Sequence, residues 1–238
     1  ASRLDDAAQV GRIAAERAIA RLGGRKVKTG EFPIILEAPL AGGLLGSLVH
    51  AASGGALYRK SSFLLDQLGK KIMPDFIQIA ERPHIPCGLG SASFDGDGLA
   101  TRDREVVSKG ILQGYFLSTY TARKLGMQST ANAGGSHNLI IEPGEHDFAA
   151  LLAKMGRGLL VTELLGHGIN YVTGDYSRGA AGYWIEDGKI AYPVEEITIA
   201  GNLKDMLSGI VAVGNDVQVR GSKLTGSILL DRMTVAGE

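Results

Sequence analysis

The stretch that decides the fold class is YWIEDGKIAY, residues 183–192. Two segments that mix apolar and polar residues flank Asp187 and Gly188, a pair that suits the two positive-φ positions of a type I′ turn. Asp-Gly between two such segments is the strongest short-range signal for a β-hairpin. The sequence therefore predicts two antiparallel strands joined at Asp187 and Gly188.

Turn signals continue on both sides of this hairpin and recur throughout the chain beyond residue 85. The chain holds 34 glycines but only 7 prolines among 238 residues, so it needs many positive-φ turns and close backbone approaches without being collagen-like. Short strands joined by tight turns explain this composition. The turn signals lie at 95–98, 109–110, 134–135, 143–144, 187–188 and 214–215.

Apolar periodicity and capping residues predict the remaining elements. The N-terminal helix is expected over 3–22, with Ser2 and Asp5 as a capping box and Gly23-Gly24 as its end. Other helices are expected at 40–52, 61–68, between Ser118 and Gly126, at 147–155 and at 203–207, with Asp147 and Asn202 as caps; further strands are expected at 32–37, 76–80, 105–107 and 111–117.

Together these elements predict an α+β fold that is rich in β-structure. We expect mostly antiparallel sheets around a barrel-like core, several short helices and an N-terminal helix. No linker rich in Pro, Ser or Gly divides the chain and no repeat is visible, so a single domain over 1–238 is the simplest organisation.

Composition excludes several classes of function. Lysine plus arginine number 25 and aspartate plus glutamate number 25, so no net charge attracts nucleic acid. The only cysteine, Cys87, has no partner for an internal disulfide, and no secretion signal opens the sequence. No apolar run approaches the roughly 20 residues that span a bilayer. We therefore expect a cytoplasmic protein that binds neither DNA nor membranes.

The histidines do not form the motif of a zinc peptidase. Such a motif places two imidazoles on one helix face with a glutamate nearby, because zinc needs converging donors and the attacking water needs a base. The histidines of this chain are scattered, and ordinary hydrogen-bonded histidines are the expected interpretation. They are His50, His84, His137, His146 and His167.

Other short motifs carry little support for chemistry. Cys87 in its Pro-Cys-Gly loop, with His84 as a base, would make a self-sufficient hydrolase, but a lone cysteine is usually an apolar filler. The run 95–98 opens like a calcium loop but lacks the later ligands, so it predicts a turn. The glycines at 88–90 lack the third glycine of a dinucleotide site.

One segment before the hairpin is dense in polar and aromatic residues, and two interpretations compete. It is either a surface loop with glycine-permitted turns, or part of a cleft where an extended peptide pairs with an exposed strand edge. In the second case the aromatic and basic side chains give selectivity. The candidate peptide-binding residues are Gly174, Asp175, Tyr176, Ser177, Arg178 and Gly179.

Longer stretches carry a family resemblance. Residues 166–184, 193–203, 88–98 and 115–135 resemble the PmbA (TldE) branch of the TldD/PmbA metallopeptidase family. The resemblance covers 1–238 as the C-terminal domain of such a protein. It implies an N-terminal α/β domain that is absent from this chain, and the start at Ala1 without a methionine agrees with a fragment or a processed form.

The resemblance also implies where a zinc site would lie. In the TldD branch a His-Glu-x-x-x-His motif stands at the strand-to-helix junction, and a cysteine near the C-terminus completes it. At the matching positions this chain has Glu37, Ala38 and Gly42, and residues 214–226 contain no cysteine. The resemblance therefore implies no metal in this chain and zinc in a TldD-like partner.

The resemblance implies a role without catalysis in this chain. We expect a partner subunit that forms a heterodimer with a TldD-like protein, and possible homodimers, in a complex that degrades unstructured peptides or matures a peptide antibiotic. The alternative from another class is a non-enzymatic regulator linked to modulation of DNA gyrase. The third alternative is the Cys87 hydrolase.

Overall fold

The computed structural model describes residues 6–238. The N-terminal helix α1 spans Ala7–Ala20, and the side chain of Asp6 caps it by accepting a hydrogen bond from Gln9 N at 3.1 Å. This confirms the predicted helix, while the predicted capping residues Ser2 and Asp5 lie outside the described residues. No residue of α1 is buried, so the helix lies on the surface.

Within residues 6–238, five further helices and eleven strands follow α1. In chain order they are β1 (Gly30–Leu36), α2 (Ala38–Ala51), α3 (Gly54–Tyr58), β2 (Ile79–Glu81), β3 (Arg104–Ser108), β4 (Ile111–Leu112), α4 (Thr119–Leu125), β5 (Leu139–Ile141), α5 (Phe148–Met155), β6 (Gly158–Leu165), β7 (Asp175–Glu186), β8 (Lys189–Asn202), α6 (Leu203–Ser208), β9 (Ile210–Val213), β10 (Lys223–Leu224) and β11 (Ile228–Ala236).

The larger sheet closes on itself. Its order is β1-β6-β7-β8-β11-β9, and β1 also pairs with β11. Strand β1 is parallel to β6 and antiparallel to β11, so the strands β1, β6, β7, β8 and β11 form a ring, and β9 extends it beside β11. Every other pairing in the ring is antiparallel. The predicted barrel-like, mostly antiparallel core is confirmed.

The two faces of β1 contribute to two different apolar clusters. Ile34 and Leu36 belong to the main core, which also takes the buried face of α2. Ile35 points the other way, as strand alternation requires, and belongs to a smaller cluster with Leu151 and Met155 of α5. Helix α2 therefore packs against one face of the barrel wall and α5 against the other.

The smaller sheet has the order β10-β5-β2-β3-β4 and holds a buried ionic network. The carboxylate of Glu81 is 1% exposed and accepts hydrogen bonds from Arg104 Nε at 2.6 Å, Asn132 Nδ2 at 2.8 Å and His137 N at 2.7 Å. A buried charge is tolerated only with such partners. The network therefore ties β2 and β3 to the loop that precedes β5.

The hairpin prediction is confirmed in its detail. Asp187 and Gly188 have φ angles of 50° and 70°, and the flanking residues Glu186 and Lys189 face each other across the turn. The predicted caps are confirmed as well. The side chains of Ser118, Asp147 and Asn202 each accept a backbone hydrogen bond at the start of α4, α5 and α6.

The helix predicted at 61–68 is wrong. Residues 63–66 form turns instead, and Asp66 has a φ of 58°. Tyr115 is the physical reason. Its hydroxyl donates to Leu64 O at 3.0 Å and accepts from Gln67 N and Leu68 N at 3.2 Å, so a distant side chain satisfies backbone groups that a helix would have paired.

Two predicted strands are shorter than expected. The strand expected at 76–80 begins only at Ile79, and Phe76 is 55% exposed. The strand expected at 111–117 ends at Leu112. Beyond it the chain leaves the sheet, because Phe116 N donates to Ala52 O at 3.0 Å and Phe116 O accepts from Gly54 N at 2.9 Å.

The run 95–98 is a turn, as predicted, and its first aspartate organises it. Asp95 Oδ1 accepts from Asp97 N at 3.0 Å and Leu99 N at 2.9 Å, and Oδ2 accepts from Ala133 N at 2.9 Å. Burial alone would raise the pKa of Asp95, but these backbone hydrogen bonds and nearby His137 outweigh it and lower the pKa. Asp95 therefore holds its loop best when it is ionised.

Within residues 6–238, no helix has the length and apolar character that crossing a bilayer requires.

Gly188→Ala tests the hairpin turn. A Cβ at this position would lie 2.8 Å from Ala153 Cα in addition to the strain of a positive φ. Gly98→Ala is the matched control, because its φ is 80° and a Cβ would meet nothing within 4 Å. We expect Gly98→Ala to lower the free energy of unfolding by about 1–2 kcal/mol and Gly188→Ala by at least about 1 kcal/mol more. Urea unfolding followed by Trp184 fluorescence measures both, and equal losses would contradict the packing of α5 against the turn.

Asp95→Asn tests the buried turn and its pH dependence. The amide of asparagine keeps one acceptor oxygen, but its NH2 group would face a backbone N–H, and two donors cannot pair. We therefore expect the free energy of unfolding to fall by about 1–3 kcal/mol at pH 7. Because the folded pKa is lowered below 3.8, the stabilisation is complete above the pKa of the unfolded chain and is lost as the pH falls through the folded pKa. The difference between wild type and variant should therefore shrink below about pH 4.

The control for this pH series is Asp75→Asn, since Asp75 is an exposed carboxylate paired with Lys71 at 2.9 Å. It should change the free energy of unfolding by less than about 1 kcal/mol at any pH. If the free energy of unfolding of Asp95→Asn lies below that of the wild type by the same amount from pH 7 to pH 3.5, the charge of Asp95 does not have this role.

Candidate functional site

The junction between β1 and α2 is the starting point of the site. Strand β1 ends at Leu36, and Glu37 is the N-cap of α2 with a proline in the first helical turn. Ala38 N donates to Ser227 Oγ at 3.0 Å, and Ser227 Oγ donates in turn to Asp216 Oδ2 at 2.6 Å. The junction is therefore fixed to the segment that leads into β11.

The structure places the three degenerate metal positions at this junction. The carboxylate of Glu37 forms an ion pair with Arg17 of α1, in which Nη1 donates to Oε2 at 3.2 Å. Ala38 is buried, and its methyl side chain has no atom that could bind a metal ion. Gly42 has room for a side chain, because a Cβ there would lie 3.6 Å from Lys223 O, the nearest atom.

These residues do not fit a zinc ion. Zinc sites in proteins are built from converging thiolate, imidazole and carboxylate groups, and of positions 37, 38 and 42 only Glu37 carries such a group, already paired with Arg17. The segment 214–226 does reach α2, since Lys223 contacts Gly42, but it brings no cysteine. Among residues 6–238, no three side chains of His, Cys, Asp or Glu are grouped so that they could hold a metal ion.

The histidines and the cysteine have separate surroundings. His50 stacks on Tyr171 with 4.0 Å between ring centroids, and His84 Nε2 lies 3.0 Å from Thr101 Oγ1. His137 Nδ1 lies 3.1 Å from Glu81 Oε1. Cys87 is exposed, and the hydrogen bonds found within the described chain include none between it and His84. His84 and His137 therefore have the hydrogen-bond partners expected of ordinary histidines.

Residues 175–179 lie in strand β7 and not in a loop, which corrects the loop interpretation for all of the segment 174–179 except Gly174. Asp175 is the first residue of β7, and residues 175–179 pair with 198–202 of β8. On the other side, Ser177 N donates to Gly168 O at 2.7 Å and Gly179 pairs with Leu165 of β6. Both edges are therefore occupied here, and a peptide cannot add as a strand at these residues.

The polar residues at the start of β7 serve the local backbone. Asp175 Oδ2 accepts from Thr173 Oγ1 at 2.6 Å, and Asp175 Oδ1 accepts from Asn202 Nδ2 at 3.2 Å. Asn202 Oδ1 also caps α6 by accepting from Lys204 N at 3.0 Å. Gly174, with a φ of 91°, lies against Asn202. Contact of these residues with a peptide stays a prediction.

Tyr176 and Arg178 differ from their neighbours because both line a pocket. They occupy alternate positions of β7 and therefore share one face of the strand. The pocket, of about 180 Å³, lies between α2 and the barrel wall. It is lined by Leu36, Pro39, Leu40, Gly43, Leu44, Ser47, Leu164, Ile169, Tyr176, Arg178 and Met206.

The polar groups of this pocket are unusual. The Nε atom of Arg178 is buried and has no hydrogen-bond partner within residues 6–238. Burial raises the pKa of Tyr176, while the neighbouring guanidinium of Arg178 lowers it by less. At neutral pH the pocket therefore holds a cationic guanidinium beside a neutral phenol.

An unpaired strand edge begins beside the same pocket. Strand β1 pairs with β6 only through residues 159–161, because β1 gives way to α2 after Leu36. Residues 163–165 of β6 remain paired with β7 on one side, Thr162 forms a bulge before them, and no described strand pairs with the other side of residues 162–165. Leu164 lies on this free stretch and also lines the pocket.

Sequence reasoning missed most of the pocket. Tyr176 and Arg178 were candidates because they stand in a dense polar segment, but Gly43, Ser47 and Leu164 come from other elements. The glycines of α2 are the one feature of the sequence that indicates the pocket. Glycine destabilises the interior of a helix, so its presence there indicates a packing or functional constraint. The free edge of β6 carries no local signal, because it depends on where another strand ends.

With this geometry in place, comparison with known proteins identifies the family. Residues 29–237 match the PmbA/TldA metallopeptidase C-terminal domain. The chain belongs to the PmbA/TldA metallopeptidase family. The match begins after α1, so the barrel, the smaller sheet and α2 constitute the family domain.

Curated relatives place the chain in the PmbA branch. It is 51% identical to a metalloprotease PmbA homolog of Haemophilus influenzae and 52% identical to metalloprotease PmbA of Escherichia coli O157:H7, each over 229 residues that cover 96% of this chain. A TldD homolog of Buchnera aphidicola is only 23% identical over 85% of the chain. The chain spans 51% of the length of both PmbA relatives.

Solved structures share the fold. A protein of Bacteroides thetaiotaomicron that is named as a candidate modulator of DNA gyrase superposes with a TM-score of 0.91 at 36% identity, covering 96% of this chain and 52% of that one. TldE of Thermococcus kodakarensis superposes with a TM-score of 0.81 at 26% identity, covering 95% and 55%. The PmbA family domain therefore takes this barrel fold in distant organisms.

Zinc titration tests the metal positions. We expect no tightly held zinc after equilibrium dialysis of the 238-residue chain, because structural zinc sites gain about 10–16 kcal/mol from ligand sets that the junction at Glu37 lacks. Treatment with a chelator should leave the melting temperature unchanged. The same chain with an added hexahistidine segment is the positive control for detection. One zinc per untagged chain, with a melting temperature that falls when it is removed, would contradict this expectation.

Proposed function

We propose that this chain is the non-catalytic part of a zinc peptidase complex, in which it holds the peptide while a TldD-like partner subunit provides the zinc. One observation supports the proposal above all. The metal positions Glu37, Ala38 and Gly42 lack a ligand set, whereas no described strand pairs with the outer side of residues 162–165 of β6 and a pocket lies beside them.

The chemistry of amide cleavage favours this division of labour. A metallopeptidase needs a metal ion that polarises the carbonyl and generates a nucleophile from water. The carboxylate of Glu37 is paired with Arg17 and has no second donor beside it in positions 38 and 42. Association with a metal-bearing subunit is therefore the simplest way for this chain to take part in hydrolysis.

The free edge of β6 suits an extended peptide. A peptide that adds beside residues 162–165 would hydrogen-bond through its backbone, with side chains alternating toward and away from the barrel. Only an unstructured segment has its own backbone groups free for this pairing. The substrates in this proposal are therefore unfolded polypeptides or short peptides, such as the precursor of a peptide antibiotic.

The composition agrees with such a partnership. The chain has no net charge, which gives no electrostatic attraction to nucleic acid.

The names of similar proteins also support the partnership. Two of the relatives are named metalloprotease PmbA or its homolog, and one structural neighbour is named TldE. We infer a heterodimer with a TldD-like protein in the cytoplasm, with homodimers as a further state.

A chimera tests the partner role. The C-terminal domain of the Escherichia coli PmbA relative is replaced by this chain, and the chimera is mixed with a TldD-like protein. We expect hydrolysis of an unstructured fluorogenic peptide to rise severalfold above that of the TldD-like protein alone, because the peptide gains a second wall. The measurement is the initial rate at fixed TldD-like protein and rising chimera.

Two controls accompany this experiment. A chelator should abolish hydrolysis by the mixture, and the chimera by itself should hydrolyse nothing. A rate that does not change when the chimera is added would refute the partner role. Hydrolysis by the chimera alone that disappears in Cys87→Ala would instead favour a self-sufficient hydrolase.

Regulation linked to DNA gyrase is the second candidate. Its support is the name carried by the structural neighbour from Bacteroides thetaiotaomicron, and the zero net charge disfavours direct contact with DNA. An affinity purification with the chimera as bait distinguishes the two proposals. Enrichment of gyrase subunits without a TldD-like protein would favour the regulator.

A further inference from the structure

We propose that Arg178 and Tyr176 form a carboxylate-binding subsite in the pocket between α2 and the barrel wall. The ligand is the carboxylate of an extended peptide, either its C-terminus or an acidic side chain, with an apolar group next to it. The inference rests on the proposed peptide-holding function and names the chemical group that this site selects.

The state of the Arg178 guanidinium carries the argument. Its Nε atom is buried without an acceptor, and no described carboxylate lies within ion-pair distance of Arg178. Arg104 shows the usual arrangement in the same molecule, since its guanidinium donates to Glu81, Asn132 and Tyr115 O. A buried donor left without an acceptor costs about 1–3 kcal/mol, and more when it is charged. Nε itself is closed to a water-sized group, so a ligand carboxylate would pair with the other nitrogens of the guanidinium and offset the cost of a charge without a counterion.

The lining of the pocket defines the chemistry of the ligand. It contains one cation and no acidic residue, and most of the other lining groups are aliphatic. The neutral hydroxyl of Tyr176 is available as a donor beside the guanidinium. A carboxylate matches these two donors, because it accepts several hydrogen bonds and pairs with the planar fork of arginine.

The size of the pocket limits what enters it. Its volume of about 180 Å³ is below the roughly 300–1,000 Å³ of sites that hold drug-sized molecules. It suits a single residue or a chain terminus. An apolar side chain next to the carboxylate would contact Leu40, Leu44 and Met206.

The position of the pocket connects it with the free edge of β6. Leu164 contributes its side chain to the pocket and its backbone to the unpaired edge. A peptide paired with that edge would therefore pass the mouth of the pocket. Capture of one carboxylate by Arg178 would fix the register of a peptide that backbone pairing alone leaves free to slide.

Gly43 gives a steric test that leaves Arg178 in place. It lines the pocket, and a Cβ at this position would meet nothing within 4 Å. A larger side chain there should fill the pocket without a clash in the folded chain, and replacing a glycine inside a helix also removes about 1 kcal/mol of unfavourable helix propensity. Gly11 of α1 has the same open surroundings, so Gly11→Leu is the matched control for Gly43→Leu.

The experiment measures binding of three dye-labelled hexapeptides with one sequence to the 238-residue chain by fluorescence anisotropy. The first has a free C-terminus and an internal glutamine, the second a C-terminal amide and an internal glutamate, and the third an amide and a glutamine. We expect the first or the second to bind at least about tenfold more tightly than the uncharged third. The peptide with the advantage identifies the source of the carboxylate.

Variants assign this advantage to the pocket. Arg178→Gln should abolish the difference between charged and uncharged peptides, and Arg178→Lys should restore part of it, because lysine keeps the charge without the planar fork. Gly43→Leu should weaken the charged peptide about tenfold or more, whereas Gly11→Leu should leave binding unchanged. Circular dichroism checks that each variant is folded.

Three results would overturn the subsite: equal binding of all three peptides, an advantage that survives in both Arg178→Gln and Gly43→Leu, or no binding of any peptide at millimolar concentration. The peptidase assay with the chimera is independent of these variants. Arg178-dependent binding without a gain in peptidase activity would leave the subsite standing and remove the partner role. A gain in peptidase activity together with equal binding of the three peptides would support the partner role and remove the subsite.

Discussion

The pairing of β1 on both of its edges determines the rest of the architecture. Residues 34–36 hydrogen-bond to β6 in parallel and to β11 in antiparallel orientation, and this short stretch closes the ring of strands. A closed ring has no edges on which another strand can add. Because β1 ends at Leu36 while β6 continues to Leu165, closure fails over the last residues of β6, and β6 keeps an unpaired edge there.

The candidate site follows from this incomplete closure. Helix α2 starts where β1 ends, and its buried face joins the main core. The space between the helix and the barrel wall is not filled, because Gly43 presents no side chain to it and Arg178 lines it as a cation. Filling that space with apolar groups would stabilise the fold. A cavity with an unpaired charge is instead the kind of local cost that proteins retain at binding sites.

The sequence predicts correctly those elements that are determined by interactions between residues close together in the chain. Asp187 and Gly188 define their turn by backbone preference, and Ser118 and Asp147 cap their helices through side chains a few residues away. The prediction failed where distant groups decide: the hydroxyl of Tyr115 replaces the helix expected at 61–68. The segment 174–179 was misjudged for a related reason. Its glycine and polar residues indicate turns, but one of its backbone edges is paired by β8 and the other by Leu165 and Gly168.

The two faces of α2 are compatible with the proposed function, in which the chain holds a peptide without a metal site of its own. Gly42 lies against Lys223, on the side where the family resemblance places zinc, whereas Gly43 lies on the pocket side with Leu44 and Ser47. Successive helix positions are about 100° apart, so side chains at these two glycines point in different directions. A change of residues at positions 37, 38 and 42 would therefore leave the pocket wall unchanged. The proposed division of catalysis and substrate holding between two related subunits would need no change in the fold, only a different choice of residues on one face of this helix.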